Sequence, residues 1–347
     1  MKTRSITAAA AALFFAACDG GGSGGDVAGQ PLQIVGSSTV YPFTKAVAER
    51  FAQTHPSFPS PIVESTGTGA GFKQFCQGVG GDHPDIANAS RRITRSEIEN
   101  CGEAGVDEVI EIQIGIDGIA FATSPETAEF ELTERQIYEA LAARPYGEEQ
   151  TAEKWSDIDA SLPDIPIIVY GPPPTSGTRD ALAELVLEDG CKSNPQIAAL
   201  EESNEDEYKE ICTRIREDGT YIESGENDNL IAQKVIVNQG AVGVFGYSFL
   251  AENENRLRGI AIDGVEPTYD AISSYEYGAA RPLFIYVKGA HVGVIPGLRE
   301  FVEEYSRATG PGSYLVRRGL VPAREEVRAR SAQAAANFTP LDPAEIE

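Results

Sequence analysis

Basic residues, histidines and cysteines are scarce in this sequence. Its 347 residues include 28 Lys and Arg against 53 Asp and Glu, which gives a formal net charge of −25. So acidic a chain is poorly suited to bind nucleic acid through the phosphate backbone, and we expect no nucleic-acid partner. His55, His83 and His291 lie far apart and no Cys-x-x-Cys pair occurs, so the spacing predicts no metal site and no cofactor. After residue 30 there is neither a Gly-x-Ser-x-Gly turn nor a Gly-x-x-x-x-Gly-Lys-Ser/Thr loop, which argues against an enzyme.

Long apolar runs are also missing: none after residue 30 approaches the eighteen or so residues that a membrane-spanning helix needs. Residues 1–17 follow the order of a signal peptide, a basic start and then an apolar stretch. Phe-Ala-Ala-Cys at 15–18 resembles the lipobox of bacterial lipoproteins. This resemblance implies a periplasmic protein anchored to the membrane through a lipidated Cys18; cleavage by an ordinary signal peptidase is the alternative. The Gly-rich residues 18–30 are typical of a flexible tether.

Four cysteines remain when Cys18 is set aside: Cys76, Cys101, Cys191 and Cys212. An even number suits an exported protein, because an oxidising compartment permits disulfides. Pairing of sequence neighbours would close loops at separations of about 25 and 21 residues, each bridge typically adding about 2–4 kcal/mol. We predict the disulfides Cys76–Cys101 and Cys191–Cys212, with four buried thiols as the alternative.

From residue 31 onward, short apolar strands alternate with apolar residues at helical spacing. This alternation predicts an α/β protein with a mainly parallel sheet in each of two units. The chain is long enough for two such lobes. A late strand and the helix after it indicate that the chain returns to the first lobe. We therefore expect lobe 1 at 31–115, lobe 2 at 116–275 and the return to lobe 1 at 276–347.

Three strand-to-helix turns carry the same residue types: Gly36–Thr39, Ser65–Gly71 and Thr175–Thr178. A helix start leaves backbone N–H groups unpaired and is partly positive, so it binds anions without a cationic side chain. Any one such turn is typical of an ordinary helix cap. Together, at the C-terminal ends of strands, the three could surround one tetrahedral oxyanion between the lobes. Ser90 and Arg91, after the third strand, add a hydroxyl and a fixed charge; a solvated basic pair is the alternative.

The ordered motifs resemble a known family. Gly-Ser-Ser-Thr-Val-Tyr-Pro-Phe, Gly-Thr-Gly-Ala-Gly-Phe-Lys-Gln, Ala-Ser-Arg and Ser-Gly-Thr-Arg follow one another, as in the phosphate-binding component of bacterial phosphate ABC importers. The resemblance implies a type II periplasmic-binding-protein fold, with a two-strand hinge and phosphate held between the lobes. Carried over by motif position, it implies these phosphate-binding residues: Ser38, Thr39, Val40, Thr68, Gly69, Ser90, Arg91, Ser176, Gly177 and Thr178.

Two positions depart from the family pattern. Pro172 stands where many members have an arginine, and Arg91 stands where many have the aspartate that accepts the phosphate proton. The pair of changes indicates that the cationic donor has moved to Arg91. It leaves the proton acceptor open. Asp117, in the Gly-Ile-Asp-Gly segment near the expected crossover, is the candidate, and a structural role for it is the alternative.

The sequence thus predicts a monomeric, non-catalytic receptor that binds inorganic phosphate and delivers it to the permease subunits of an ABC importer in the inner membrane. Two rival functions stay open. One is a receptor for another oxyanion, such as sulfate, molybdate or tungstate. The other is a phosphate-site protein with an adhesion or signalling role.

Overall fold

The computed structural model describes residues 29–225 and 228–346. The predicted signal peptide, the lipidation site Cys18 and the tether up to residue 28 lie outside the described residues. Within the described ranges, no helix combines the length and the apolar character that crossing a membrane requires.

Strands and helices alternate along most of the described chain. The strands are β1 (Gln33–Gly36), β2 (Ile62–Ser65), β3 (Ile86–Ala89), β4 (Val109–Thr123), β5 (Val169–Gly171), β6 (Tyr221–Glu223), β7 (Val242–Gly246), β8 (Arg258–Gly259) and β9 (Ala280–Lys288). The helices are α1 (Tyr41–Thr54), α2 (Thr68–Phe75), α3 (Arg95–Glu103), α4 (Glu134–Leu141), α5 (Trp155–Ile158), α6 (Gly177–Leu182), α7 (Glu188–Lys192), α8 (Pro195–Ala198), α9 (Leu200–Ser203), α10 (Glu205–Cys212), α11 (Asp228–Val237), α12 (Tyr247–Glu252), α13 (Tyr269–Ser274), α14 (Leu298–Arg307) and α15 (Glu325–Asn337).

The strands are hydrogen-bonded in the order β2-β1-β3-β9-β4-β7-β5-β6, with β8 also paired to β4. At one end, β1 lies parallel to both β2 and β3. At the other end, β5 lies parallel to both β6 and β7. The two parallel groups are joined by β4 and β9, which run antiparallel to their neighbours and to each other.

Strand β4 links the two halves of the sheet. Val109 to Gly118 pair with β9, and Ile119 to Ala122 pair with β7. Its run of Val, Ile and Phe suits an extended, buried strand. The pairing shifts register next to Gly115, where a Cβ atom would lie 2.6 Å from the Leu320 side chain. Beyond this shift, Asp117 on β4 lies directly opposite Arg281 on β9.

Helix α1 is fixed by one apolar face. Phe43, Val47 and Phe51 recur four residues apart and are buried, as expected for residues that share a helix face. The Phe51 ring meets Phe301 of α14 edge to face, with 5.6 Å between ring centroids. This packing fixes the C-terminal half of α1 against α14.

Buried apolar residues of the described chain form three clusters. The largest draws on strands and helices from Ile116 to Ala279, together with Val321 and Ala323. The second combines β1, α1 and the first part of β4 with β9, α14 and α15. The third lies around α2, α3 and β3. Segments from both ends of the chain therefore share cores that are separate from that of the middle segment.

Both predicted disulfides are confirmed. Cys76 bonds Cys101, which ties the end of α2 to α3. Cys191 bonds Cys212, which ties α7 to α10.

Candidate functional site

The first anion-binding turn lies between β1 and α1. Gly36 has φ +129°, and a Cβ atom there would lie 2.2 Å from the carbonyl oxygen of Asn88, so only glycine fits this turn. Ser37 Oγ accepts from the backbone N–H of Val40 at 3.4 Å. The Val40 side chain is fully buried in the core. Ser38 and Thr39 therefore lie at the tip of the turn, before the first helical residue.

The Ser-Gly-Thr turn lies at the start of α6. Ser176 is the N-cap, and its side chain accepts from the backbone N–H of Thr178 at 3.3 Å. Helix α6 continues through a π-helical stretch, Ala183–Leu187, into α7. A Cβ atom on Gly177 would lie 3.1 Å from Thr39 Cα and 3.4 Å from the Ser38 carbonyl oxygen. The absence of a side chain at Gly177 thus lets the two turns touch.

Beneath the touching turns lies a buried pair of opposite charges, Asp117 and Arg281. Arg281 Nε is 3.7 Å from Asp117 Oδ2, and the side chains are 11% and 13% exposed. Neither of these two atoms has a hydrogen-bond partner among the described residues. Burial raises the pKa of the Asp117 carboxyl, and the positive charge of Arg281 opposes that rise. The Nε–H donor of Arg281 and the Oδ2 acceptor of Asp117 therefore lie inside the protein without a hydrogen bond to any described residue.

Arg281 also connects the first turn to the helical segment that follows the second turn. Its Nη2 donates to Thr39 Oγ1 at 2.8 Å, and its Nη1 donates to Glu184 in the π-helical stretch. Burial raises the pKa of the Asp180 carboxyl in α6, and the nearby Ser38 hydroxyl opposes that rise.

A cavity of about 500 Å³ lies at the two turns, and its lining includes Asp117 but not Arg281. Six predicted site residues belong to its lining: Ser38, Thr39, Asp117, Ser176, Gly177 and Thr178. The lining also carries charges of both signs, on Lys45, Glu49, Asp228 and Arg318. Burial raises the pKa of Asp228 to about 6. Among the residues that the structure describes, no group of three or more His, Cys, Asp or Glu side chains could hold a metal ion.

The second predicted turn lies beside the first but does not line this cavity. The backbone N–H groups of Thr66 and Gly67 both donate to the Gly36 carbonyl, at 2.9 and 3.0 Å. Thr68 Oγ1 lies 3.0 Å from Ser90 Oγ and accepts from the Ser90 backbone N–H at 3.2 Å. Thr68 and Ser90 are therefore brought together. Gly69 lies next to Thr68 in the first turn of α2, where a Cβ atom would meet no other atom within 4 Å.

Arg91 is not brought to the cavity. Its guanidinium pairs with both carboxylate oxygens of Glu97, at 2.8 and 2.9 Å, and lies over the Phe72 ring. The side chain is 45% exposed. The buried cation beside Thr39 is Arg281, from the far end of the chain.

Sequence reasoning missed three residues of the cavity surroundings: Asp180, Glu184 and Arg281. Asp180 and Glu184 are four residues apart, directly after the Ser-Gly-Thr motif, and such spacing puts two carboxylates on one helix face. Arg281 stands immediately before the apolar run that begins at Pro282 in the sequence, and it belongs to β9. The available signal was a single basic residue at the start of an apolar strand. No pattern in the neighbouring sequence indicated that this residue would pair with Asp117.

The chain is similar to several known proteins. Residues 21–308 match a family model described as a PBP superfamily domain. Protein SphX of Synechococcus elongatus is 30% identical over 83% of this chain and 76% of its own length. Phosphate-binding protein PstS of Staphylococcus haemolyticus is 29% identical over 77% of this chain and 74% of its own. The crystal structure of a possible phosphate binding protein from Planctomyces limnophilus superposes with a TM-score of 0.71 at 30% identity, covering 88% of this chain and 98% of its own.

These findings confirm the predicted fold class and the resemblance to phosphate-binding proteins. The chain belongs to the periplasmic-binding-protein (PBP) superfamily, and its fold is the two-lobed α/β fold of that family.

Proposed function

We propose that the protein binds one inorganic phosphate ion in the cavity between the Ser38–Thr39 turn and the Ser176–Thr178 turn. The observation that carries this proposal is the contact between two Ser/Thr-rich helix starts around the buried Arg281. Backbone N–H groups, hydroxyls and one guanidinium are the donors that an oxyanion needs. The relatives named as phosphate-binding proteins support the same ligand.

Asp117 is the proposed acceptor of the phosphate proton. Its Oδ2 is buried and unpaired, close to a guanidinium group. Phosphate near neutral pH keeps a proton that this oxygen can share, whereas fully ionised sulfate would face it with a lone pair. Such an unpaired contact costs roughly 1–3 kcal/mol or more. Sulfate, molybdate and tungstate are therefore the less favoured ligands.

Around this core we propose further donors. The Val40 amide, Thr68, Gly69 and Ser90 carry over from the family motifs, and the second turn lies directly against the first, through the Gly36 carbonyl. The direct counter-charge is assigned to Arg281 instead of Arg91, because the Arg91 guanidinium is paired with Glu97 outside the cavity. Variants of the second turn should weaken phosphate binding less than variants of Thr39 or Ser176.

The proposed physiological role is delivery of phosphate to the permease subunits of an ABC importer by a monomeric receptor. Support comes from the ordered motifs and from relatives whose names state phosphate binding. Lobe 1 is proposed at 31–115 and 276–347 and lobe 2 at 116–275, and the separate apolar clusters support this division. Attachment to the membrane through a lipidated Cys18 belongs to the same proposal.

Calorimetric titration of the purified protein with phosphate and with sulfate tests the ligand. We expect one phosphate per chain, a dissociation constant in the micromolar range or below, and little sulfate binding. Thr39→Val, which removes a hydroxyl while keeping the shape, should weaken phosphate binding about tenfold or more. Thr54→Val at the exposed end of α1 is the matched control. Absence of phosphate binding would overturn the proposal, and equal affinity for sulfate would overturn the role of Asp117.

A further inference from the structure

The proposed phosphate cavity shares lining residues with two neighbouring cavities. A cavity of about 540 Å³ adjoins it at Asp228 and Arg318, which line both. A smaller cavity of about 320 Å³ adjoins it at Tyr41, Lys45 and Glu49. Among the described residues that line the phosphate cavity, Lys45 and Arg318 are the only cations. Each boundary with a neighbouring cavity therefore carries one positive charge.

The backbone around Arg318 is held in place at this boundary. Leu315 and Leu320 are fully buried, and the backbone N–H of Leu320 donates to the Leu315 carbonyl at 3.1 Å. Gly319, with φ +102°, lies in this turn in a conformation that favours glycine. Ser248 Oγ of α12 donates to the Gly319 carbonyl at 3.2 Å. The turn is thus fixed on both sides, while the Arg318 side chain is exposed.

The same segment is joined to the strand that carries Asp117. Val321 and Ile116 exchange two backbone hydrogen bonds, at 2.8 and 3.0 Å. Ile116 directly precedes Asp117 on β4, and both Asp117 and Arg318 line the phosphate cavity. Arg318 is therefore a fixed part of the same cavity as the proposed proton acceptor.

The Arg318 guanidinium is uncommitted. It forms no ion pair and no hydrogen bond with any residue that the structure describes. The guanidinium of Arg317, by contrast, donates to the Gly312 carbonyl at 2.7 Å. Lys45 lies four residues before Glu49 on the same helix, and both line the cavity, so the carboxylate partly offsets the lysine charge. Arg318 is thus the cation of the lining that is most available to an anion.

A phosphate that approaches the cavity meets acidic groups as well. The described lining holds three carboxyl groups, those of Glu49, Asp117 and Asp228, against two cations. Asp228 lies at the same boundary as Arg318 but forms no ion pair with it. Charges beyond a Debye length of about 8–10 Å act weakly, so the few nearby charges dominate the approach. Charges at the rim of a site change mainly the association rate and its dependence on salt.

Resting on the proposed function, we propose that Arg318 is a positioning residue for phosphate entry. Its guanidinium attracts the incoming anion at the boundary of the two cavities and thereby raises the association rate. The helix starts and Arg281 then hold the bound ion, so Arg318 has little effect on dissociation. One unit charge at about 8 Å from a dianion in water changes the rate by about fivefold.

Two measurements on the full chain test the inference. Calorimetry gives the dissociation constant for inorganic phosphate, and exchange broadening of the ³¹P resonance of free phosphate gives the association rate. The dissociation rate is the product of the two. At low salt, Arg318→Gln should lower the association rate about fivefold and leave the dissociation rate within about twofold. At about 1 M salt, where the Debye length is about 3 Å, the difference should fall below about twofold. Arg318→Lys, which keeps the charge, should associate like the wild type.

Arg317→Gln is the matched control, because it removes the same charge one residue away, from a side chain outside the phosphate cavity. Its association rate should stay within about twofold of the wild type. An equal loss in both variants would show an effect of net charge alone and overturn the inference. A loss that persists at high salt, or one confined to the dissociation rate, would overturn it too. No phosphate binding by the wild type would instead refute the proposed function. Arg318→Met is the second neutral variant should Arg318→Gln fail to fold.

Discussion

Replacing Arg281 with alanine is the most direct test of how this acidic protein holds an anion. The guanidinium is nearly buried, donates to Thr39 at 2.8 Å and also binds Glu184. Losing a charge-assisted contact in a closed site costs about 2–5 kcal/mol. We therefore expect Arg281→Ala to weaken phosphate binding by about thirtyfold to several thousandfold.

Arg91→Ala provides the matched comparison. The Arg91–Glu97 pair has side chains that are 45% and 18% exposed, and exposed pairs contribute only about 0.2–1 kcal/mol. Its removal should change the free energy of unfolding by less than about 1 kcal/mol and leave phosphate affinity within about threefold. The two variants remove the same type of side chain, one beside the cavity and one outside it.

The assay is calorimetric titration of phosphate at one fixed pH and salt concentration, with thermal unfolding recorded for each variant. Arg281→Lys separates charge from geometry, because lysine keeps the charge but lacks the planar fork whose two nitrogens reach Thr39 and Glu184 separately. We expect its affinity to lie between wild type and Arg281→Ala. A loss of affinity in Arg91→Ala as large as that in Arg281→Ala would refute this reasoning and return the counter-charge to Arg91.

Three further predictions concern a close contact, a crosslink and a buried charge. Gly177→Ala should weaken phosphate binding about tenfold, because its Cβ would lie 3.1 Å from Thr39 Cα; Gly102→Ala, with open space around it, should bind normally in the same titration. Removing the Cys191–Cys212 bridge by a double alanine change should lower the free energy of unfolding by about 3 kcal/mol in denaturant titrations, and an unchanged midpoint would contradict this. Burial lowers the pKa of Lys288 to about 8, so the unfolded chain binds more protons between that pH and the ordinary lysine pKa. The free energy of unfolding of the wild type relative to Lys288→Met should therefore rise by up to about 3 kcal/mol from pH 7 to pH 10.5, and parallel pH profiles would count against it.

Much of the fold could be predicted from local patterns. The apolar segments near residues 32, 61, 85 and 282 all become strands, and the apolar face around Phe301 becomes α14. Sequence neighbours among the cysteines pair as expected. The continuous strand β4 was harder to predict, because Gly115 and Gly118 interrupt its apolar run. Both glycines are instead places where other side chains approach the strand closely, those of Leu320 and Ile272.

The site was only partly predictable, because some of its residues are neighbours in the sequence and others are far apart. A helix start such as Ser176–Gly177–Thr178 consists of consecutive residues, so its anion-binding character can be recognised in the sequence. The partnership of Asp117 with Arg281 depends on the antiparallel register of β4 and β9, which joins residues separated by nearly half of the chain. No residue spacing encodes that register. A motif-based assignment therefore chose Arg91, which is adjacent to a recognisable turn.

The acidity of the chain is compatible with an anion ligand when the distance between the surface charges and the cavity is considered. Surface charges act weakly beyond a Debye length of about 8–10 Å, so most of the net charge of −25 has little effect inside the cavity. The carboxylates that matter are Asp117, Asp180 and Glu184, which surround the one nearby buried guanidinium. For a ligand that brings its own proton, the carboxyl proposed to receive it, that of Asp117, is a hydrogen-bond acceptor instead of a source of repulsion. An anion with no proton to share would face the same oxygen with a lone pair, so we expect the site to disfavour it.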